Sequence, residues 1–371
     1  MTTINPYSST YAPGLTAGQT ATQRANQATG YGQPRDQSPT INTPAVNVTL
    51  SAAAQAALKA QTDSRTIETV VAEARAQIGA QLKAAKASSA LKDGNATIDL
   101  SGLDRRTLHA VASNKGGQFP LDQQVVAALA LKSQHDAALA GPAAQARLTG
   151  DYASLYQAAL DQSEAAGPEE KASAAWSQEH DALVEGRKQA IARPGLAPVG
   201  IEYDTVAAYM TETGSAVAGA KTRDFGKVAG DVRTALDKQY SLAFAPEAAK
   251  DPDSGEIDFR RFDDRSLSAI ALNKDEQFSA HEISQAKAEI RSRDSTAIKA
   301  SFQSTGDDEG GFGKAMITRY AGMTAEEREA AGWTPAVYDK MVALQASRDK
   351  LAEMFNADGS LAGPPSLLDY L

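Results

Sequence analysis

The chain has 371 residues, of which 42% are apolar and 6% aromatic, with a formal net charge of −9 and a pI near 5.1. Its length predicts about two domains at roughly 100–200 residues each, and its alanine content favours helices. The acidic balance argues against a general nucleic-acid binder, and the absence of cysteine excludes disulfides, thiolate metal sites and cysteine nucleophiles.

The first 50 residues hold three charges, Arg24, Arg35 and Asp36, among Thr, Ser, Gln, Asn, Gly, Pro and Ala. Too little apolar area is available there to offset chain entropy, so residues 1–60 are expected to form a disordered tail. The start of the chain has neither a basic n-region nor an apolar h-region, so it does not read as a cleavable secretory signal. The longest clean apolar run, Val125 to Leu131, is far short of the roughly 18 residues a spanning helix needs, so no membrane insertion is expected. The tail resembles those of bacterial proteins exported by flagellar and type III systems. Asn47-Val48-Thr49-Leu50-Ser51-Ala52 is similar to the VTLS phrase of flagellum-associated proteins. The resemblance implies a bacterial protein that is either cytoplasmic or exported without a cleavable signal, to the flagellum or the extracellular space.

Beyond the tail the chain repeats itself. Residues 98–139 align without gaps on residues 257–298, with 14 identities in 42 positions, among them Asp104/Asp263, Asn114/Asn273, Lys115/Lys274 and Phe119/Phe278. Upstream, Ile67, Val70, Ala74, Ile78 and Leu82 match Phe225, Val228, Val232, Leu236 and Tyr240. Both rows step by three or four, the spacing of one stripe on an amphipathic helix. Downstream, the only tryptophans, Trp176 and Trp333, fall at nearly the same offset. This pattern predicts two homologous, mainly α-helical modules, residues 61–195 and 222–371, joined by a linker over 196–221.

Each module should begin with the amphipathic helix. A short extended piece follows, Thr97–Leu100 or Glu256–Phe259. Next come a helix of about ten residues capped by Asp104 or Asp263, and a second extended piece ending at Phe119 or Phe278. Leu103 with Leu108, and Phe262 with Leu267, have the spacing of hydrophobic staples. A long helix to about residue 139 or 300 and a closing helical hairpin complete the unit. Thr324-x-x-Glu327 and Thr334-Pro335 mark helix starts in the second hairpin. The two extended pieces are expected to pair as a two-stranded clip.

Helix, strand, helix, strand, helix resembles a degenerate pair of EF-hands. Asp251-Pro252-Asp253-Ser254-Gly255-Glu256-Ile257-Asp258 and Asp93-Gly94-Asn95-Ala96-Thr97-Ile98-Asp99 both open with D-x-[DN]. The resemblance implies a calcium site in the second module, with Asp251, Asp253 and Asp258 as ligands, joined by Asp275 and Glu282. The departures are a missing D-x-[DN]-x-[DN]-G pattern and Phe262 where the bidentate glutamate belongs. Ser279-x-x-Glu282 is also a capping box, which assigns Glu282 a purely local task.

Catalytic constellations fare less well. Glu309-Gly310-Gly311-Phe312-Gly313-Lys314 lacks both the first glycine and the final Ser/Thr of a phosphate loop. His281-Glu282 has no second histidine four residues on, as a zinc-protease helix would require. No catalytic residue is therefore assigned. The leading expectation is a non-enzymatic structural or protein-interaction protein, exported or flagellum-associated, acting on a protein partner. The alternatives are a calcium-responsive binding module and a type III secreted effector.

Overall fold

The computed structural model describes residues 64–214, 224–243, 257–305 and 311–353. All lie in the second of the two units, Met1–Ala57 and Leu58–Leu371, into which the chain divides. The expected tail, Asp251, Asp253 and the segment from residue 354 onward are outside the described residues. What is described is mainly helical, with one small antiparallel sheet.

Helix α1, Ile67–Ala85, starts where the Thr66 hydroxyl accepts from the Thr69 amide and stops at Lys86 in the left-handed region. Its stripe Val70, Ala74 and Ile78 is buried, as is the aligned stripe Val228, Val232 and Leu236 on α8, Phe225–Ala243. Helix α2, Arg105–Ala112, and helix α9, Asp264–Leu272, are capped as the sequence predicts. Asp104 accepts from the Thr107 amide and Asp263 from the Ser266 amide. Both staple pairs are buried, Leu103 with Leu108 and Phe262 with Leu267.

After these helices the chain turns through Asn114 or Asn273, each in the left-handed region with φ of 51° and 47°. In each case the Asn Oδ1 accepts from the amide of the phenylalanine five residues on, Phe119 or Phe278, at 2.9 Å. Asparagine tolerates this backbone because its short side chain bonds locally. The long helices follow: α3, Leu121–Thr149, and α10, Ala280–Thr305.

Helices α4, Tyr152–Glu164, α5, Pro168–Lys171, and α6, Ala174–Ala192, come after α3. Helices α11, Gly311–Gly322, α12, Ala325–Ala331, and α13, Pro335–Glu353, come after α10. Thr324 and Glu327 form the expected capping box at α12. In each set a buried arginine from the short helix reaches an acid on the first turn of the connecting helix. Arg106 is bidentate to Glu169, and Arg265 pairs with Glu326.

Three apolar clusters hold the fold. The first joins α1, α2 and the front of α3. The second joins α8, α9 and α10, with Ala330 and Ala331 of α12 against it. The third joins the rear of α3 to α4, α6 and α7, Thr205–Thr213. The first cluster also contains Ile317 of α11, and Ala321, Tyr338, Met341 and Val342 of α11 and α13 pack on it. The last hairpin of the chain thus completes the core of its first half.

Two sequence expectations change, and a third segment gains detail. Thr97–Leu100 and the segment ending at Phe119 do not pair with each other. Instead β1, Leu91–Lys92, pairs with β2, Asn95–Ala96, around Asp93-Gly94. Both turn residues have positive φ, 51° and 75°, as a tight two-residue hairpin of this hand requires. Helix α3 continues past residue 139, through Pro142, to Thr149. An interior proline costs about 3 kcal/mol, but Leu139, Ala143 and Ala146 are fully or almost fully buried in the third cluster. Burial there outweighs the lost hydrogen bond. Finally, part of the expected linker is helix α7, capped by Asp204 and anchored by buried Val206 and Tyr209.

Candidate functional site

The acids expected to gather around calcium are held apart among the described residues. Glu282 is 3% exposed at its side chain and engaged twice. It accepts from the Ser279 amide at 2.7 Å while its own amide donates to the Ser279 hydroxyl, the capping box read from sequence. Its other oxygen accepts from Arg233 at 2.9 Å. Burial pushes the Glu282 carboxyl up, but the Ser279 bonds and Arg233 outweigh it and hold the carboxyl below its usual range.

Asp258 caps the 3-10 turn Phe259–Arg261 and pairs with Arg260, and its amide donates to Gln239. Asp275 sits in the exposed turn before α10, with Oδ2 3.8 Å from where a Cβ on Gly226 would lie. The three carboxylates therefore neighbour Gly226, Arg233 and Gln239 of one helix. Along α8 that is a spread of roughly 20 Å at 1.5 Å per residue. No group of three or more His, Asp or Glu side chains among the described residues is placed to hold a metal ion. Asp251 and Asp253 lie outside them.

A charge cluster sits where α9, α10, α11 and α12 meet. Arg293 donates to Asp264 and Glu289, and Arg319 pairs with Asp294. Arg293 also donates to the Phe262 carbonyl at 2.9 Å. The void among these side chains is about 20 Å³. That is one water position, against the roughly 300–1,000 Å³ of a small-molecule site. The arrangement ties α9, α10 and α11 together by charge-assisted bonds.

The most elaborate arrangement is the joint between the halves. Arg328 of α12 donates through Nε to the Tyr320 carbonyl at 2.9 Å. A terminal nitrogen donates to the Gly94 carbonyl at 3.0 Å and to Asn95 Oδ1 at 3.4 Å. Its guanidinium lies 4.2 Å from the Tyr320 ring centroid, a cation–π contact, and Tyr320 packs on Tyr338 with centroids 4.8 Å apart. Gly94 is required for this approach: a Cβ there would lie 2.4 Å from Tyr320, on a backbone with φ of 75°. Lys314 donates to the Ala112 carbonyl at the end of α2, where a cation also meets the negative pole of the helix. The turn that the sequence reads as the opening of a cation loop thus gives its oxygens to a guanidinium of the second half.

The two tryptophans mark corners of the hairpins. Trp176 lies inside the first turn of α6, donates to the Ser163 carbonyl and stacks on His180 at 4.7 Å. Trp333 precedes α13 and faces Tyr320 at 6.4 Å. Sequence reasoning missed the role of Arg328, which bears no local signature. The clue to the hairpin it recognises was Asp93-Gly94 itself.

No helix among the described residues is long and apolar enough to cross a membrane. No family model matches the chain, and comparison with curated proteins and with solved structures returned no match.

Proposed function

We propose that the chain is a non-enzymatic protein-interaction scaffold made of two homologous helical modules and carried by an export-type tail. The supporting observation is that aligned residues do the same structural work. Asp104 and Asp263 cap, Asn114 and Asn273 turn the chain onto Phe119 and Phe278, and Arg106 and Arg265 tie the short helix to the following hairpin. The polar groups that the sequence brings forward serve caps, turns and helix-to-helix ion pairs. The function then rests on the surface of the modules rather than on a reaction centre.

The tail gives this reading its setting, a bacterial flagellar or type III export route with a protein partner at its end. Deleting residues 2–45 is expected to abolish export from cells with an active flagellar or type III apparatus. The helical circular dichroism of the remaining chain should be unchanged. Export that persists without those residues would overturn the export assignment. Delivery into a host cell, rather than release or assembly at the bacterial surface, would favour the effector alternative over the scaffold.

A further inference from the structure

We infer that the contact between the two halves is a one-way joint which each chain closes on itself, leaving a monomer whose two ends do not accept a second copy. The inference rests on the duplication reading, because it compares each face of the joint with its aligned counterpart. The joint is heterologous: the receiving face is the β-hairpin and α3, the donating face α11 and α13. A heterologous contact between repeated units propagates into an open array unless the terminal faces are altered.

Both free faces are altered. The receiving face carries Val125, Val126, Leu129 and Ala130, with Val125 and Val126 buried in the cluster that Ile317 completes. Leu129 meets α11 where a Cβ on Gly322 would lie 3.3 Å from its Cδ2. The aligned residues of α10 are Ser284, Gln285, Ala288 and Glu289, of which the first three are exposed. The donating face carries Ile317, Tyr320, Ala321, Tyr338, Met341 and Val342. At the offset of the tryptophans the first half has Leu160, Ser163, Glu164, Asp181, Val184 and Glu185. Leu160 packs on the third cluster and Ser163 is buried, and of the four exposed or half-buried positions left only Val184 is apolar. The inner contacts are shared, since Ala127 and the aligned Ala286 are both 0% exposed. Divergence falls on the faces that would otherwise recruit another copy.

The joint closes within the chain, and Arg328 with Gly94 and Tyr320 fixes its register. Opening it would release a receiving and a donating face on the same molecule, each complementary to the other on a second copy. Size-exclusion chromatography with light scattering on the full chain tests this. The wild type is expected to keep monomer mass from micromolar to its highest soluble concentration. Arg328→Glu places a carboxylate against the Gly94 and Asn95 oxygens and should give concentration-dependent dimers and larger species. Gly94→Val, which drives a side chain into Tyr320, should do the same. Adding Leu129→Gln to either should reduce the association by weakening the receiving face. Far-UV circular dichroism identifies the variant that keeps its helices, and that variant is the one scored. Concentration-dependent association of the wild type, or folded Arg328→Glu and Gly94→Val chains that both stay monomeric, would overturn the inference. Export and partner binding are not read out here, so a failure of the scaffold reading and a failure of the joint are distinguishable.

Discussion

Helices α3 and α10 arise from aligned stretches of sequence and differ on one face. On the inner side both keep a buried alanine, Ala127 and Ala286, against the helix before them. On the outer side α3 has Val126 and Leu129, whereas α10 has exposed Gln285 and Ala288. The first face is covered by α11 and α13, and the second is open to solvent. The aligned inner position is thus buried in both helices, whereas the aligned outer positions differ with whether another helix covers them. Apolar area is retained where burial yields roughly 25 cal/mol per Å², and is replaced by polar groups where it would leave an adhesive patch.

The same substitution at the two aligned outer positions tests this most directly. Leu129→Gln should cost about 2–3 kcal/mol, the price of losing an apolar contact and placing an amide in the joint. Ala288→Gln should change stability by no more than about 0.5 kcal/mol, as for other surface replacements. Urea denaturation of both variants gives the comparison. Equal costs would mean that the two faces are equally covered and that the asymmetry is only apparent.

Cap and stripe signals in the sequence match the structure, whereas the hairpin at Asp93-Gly94 and the contacts between distant segments do not follow from them. The caps at Asp104, Asp263, Ser279 and Thr324 depend on residues within one turn, and each forms as read. The buried stripes of α1 and α8 follow from periodicity alone. The small sheet lies elsewhere than expected because Ile98 and Phe119 sit in bends, and the strands that pair are Leu91–Lys92 and Asn95–Ala96. Asp93-Gly94 fits both a hairpin turn and the opening of a metal loop, and the hairpin is what forms. Packing decided the course of α3 beyond Pro142, and the docking of α11 and α13 on the first half joins residues more than 200 positions apart. Among the described residues, Asp258, Asp275 and Glu282 of the candidate calcium ligands stand apart for a geometric reason, and Asp251 and Asp253 lie outside them. The three are close in sequence, but the elements carrying them line up along α8 instead of folding about a point.

The local task of Glu282 sharpens the comparison at the start of α10. Glu282 aligns with Gln123, and Ser279 with Pro120, so only the second half has an ionised capping box. Glu282→Gln keeps an acceptor for the Ser279 amide and loses the ion pair to Arg233. It should cost about 1 kcal/mol, as for a charge-assisted bond at a buried site. Gln123→Ala should cost about 0.5 kcal/mol or less. The Glu282 carboxyl is held below its usual range, so its contribution is present above the unfolded value. It is lost as pH falls through the folded one. The gap between wild type and Glu282→Gln should therefore close on acidification. Millimolar calcium should leave that gap unchanged at neutral pH. A calcium-dependent rise in melting temperature that Glu282→Gln removes would restore Glu282 as a metal ligand.

The smallest expected effect concerns the two aligned caps, whose environments push them in opposite directions. Burial raises the Asp104 carboxyl, but the Thr107 hydroxyl and amide at 2.7 and 3.0 Å and Arg65 at 3.1 Å outweigh it, and its pKa is lowered. Asp263 is 8% exposed, and burial prevails over its bonds to Ser266, so its pKa is raised. The sign of the linkage then differs. Asp104 stabilises the fold above the ordinary aspartate value, near 3.9, and that contribution is lost as pH falls through the lower folded value. Asp263 contributes below the ordinary value and loses that contribution as pH rises through the higher folded one. Where it is ionised in the fold, the charge carries a net cost. Asparagine caps a helix about as well as aspartate, so Asp→Asn isolates the charge at each site. Asp104→Asn should destabilise at pH 7 by about 0.5 kcal/mol, discounted for a half-exposed pair, and the difference should vanish toward acid. Asp263→Asn should be neutral or stabilising by about 0.5 kcal/mol at pH 7, with the wild type drawing level as pH falls toward the aspartate range. Thermal melts of the two variants across that range give the signs. Equal destabilisation at pH 7 would show that Arg265 and Arg293 offset the burial of Asp263, and that the two caps are equivalent in energy as well as in position.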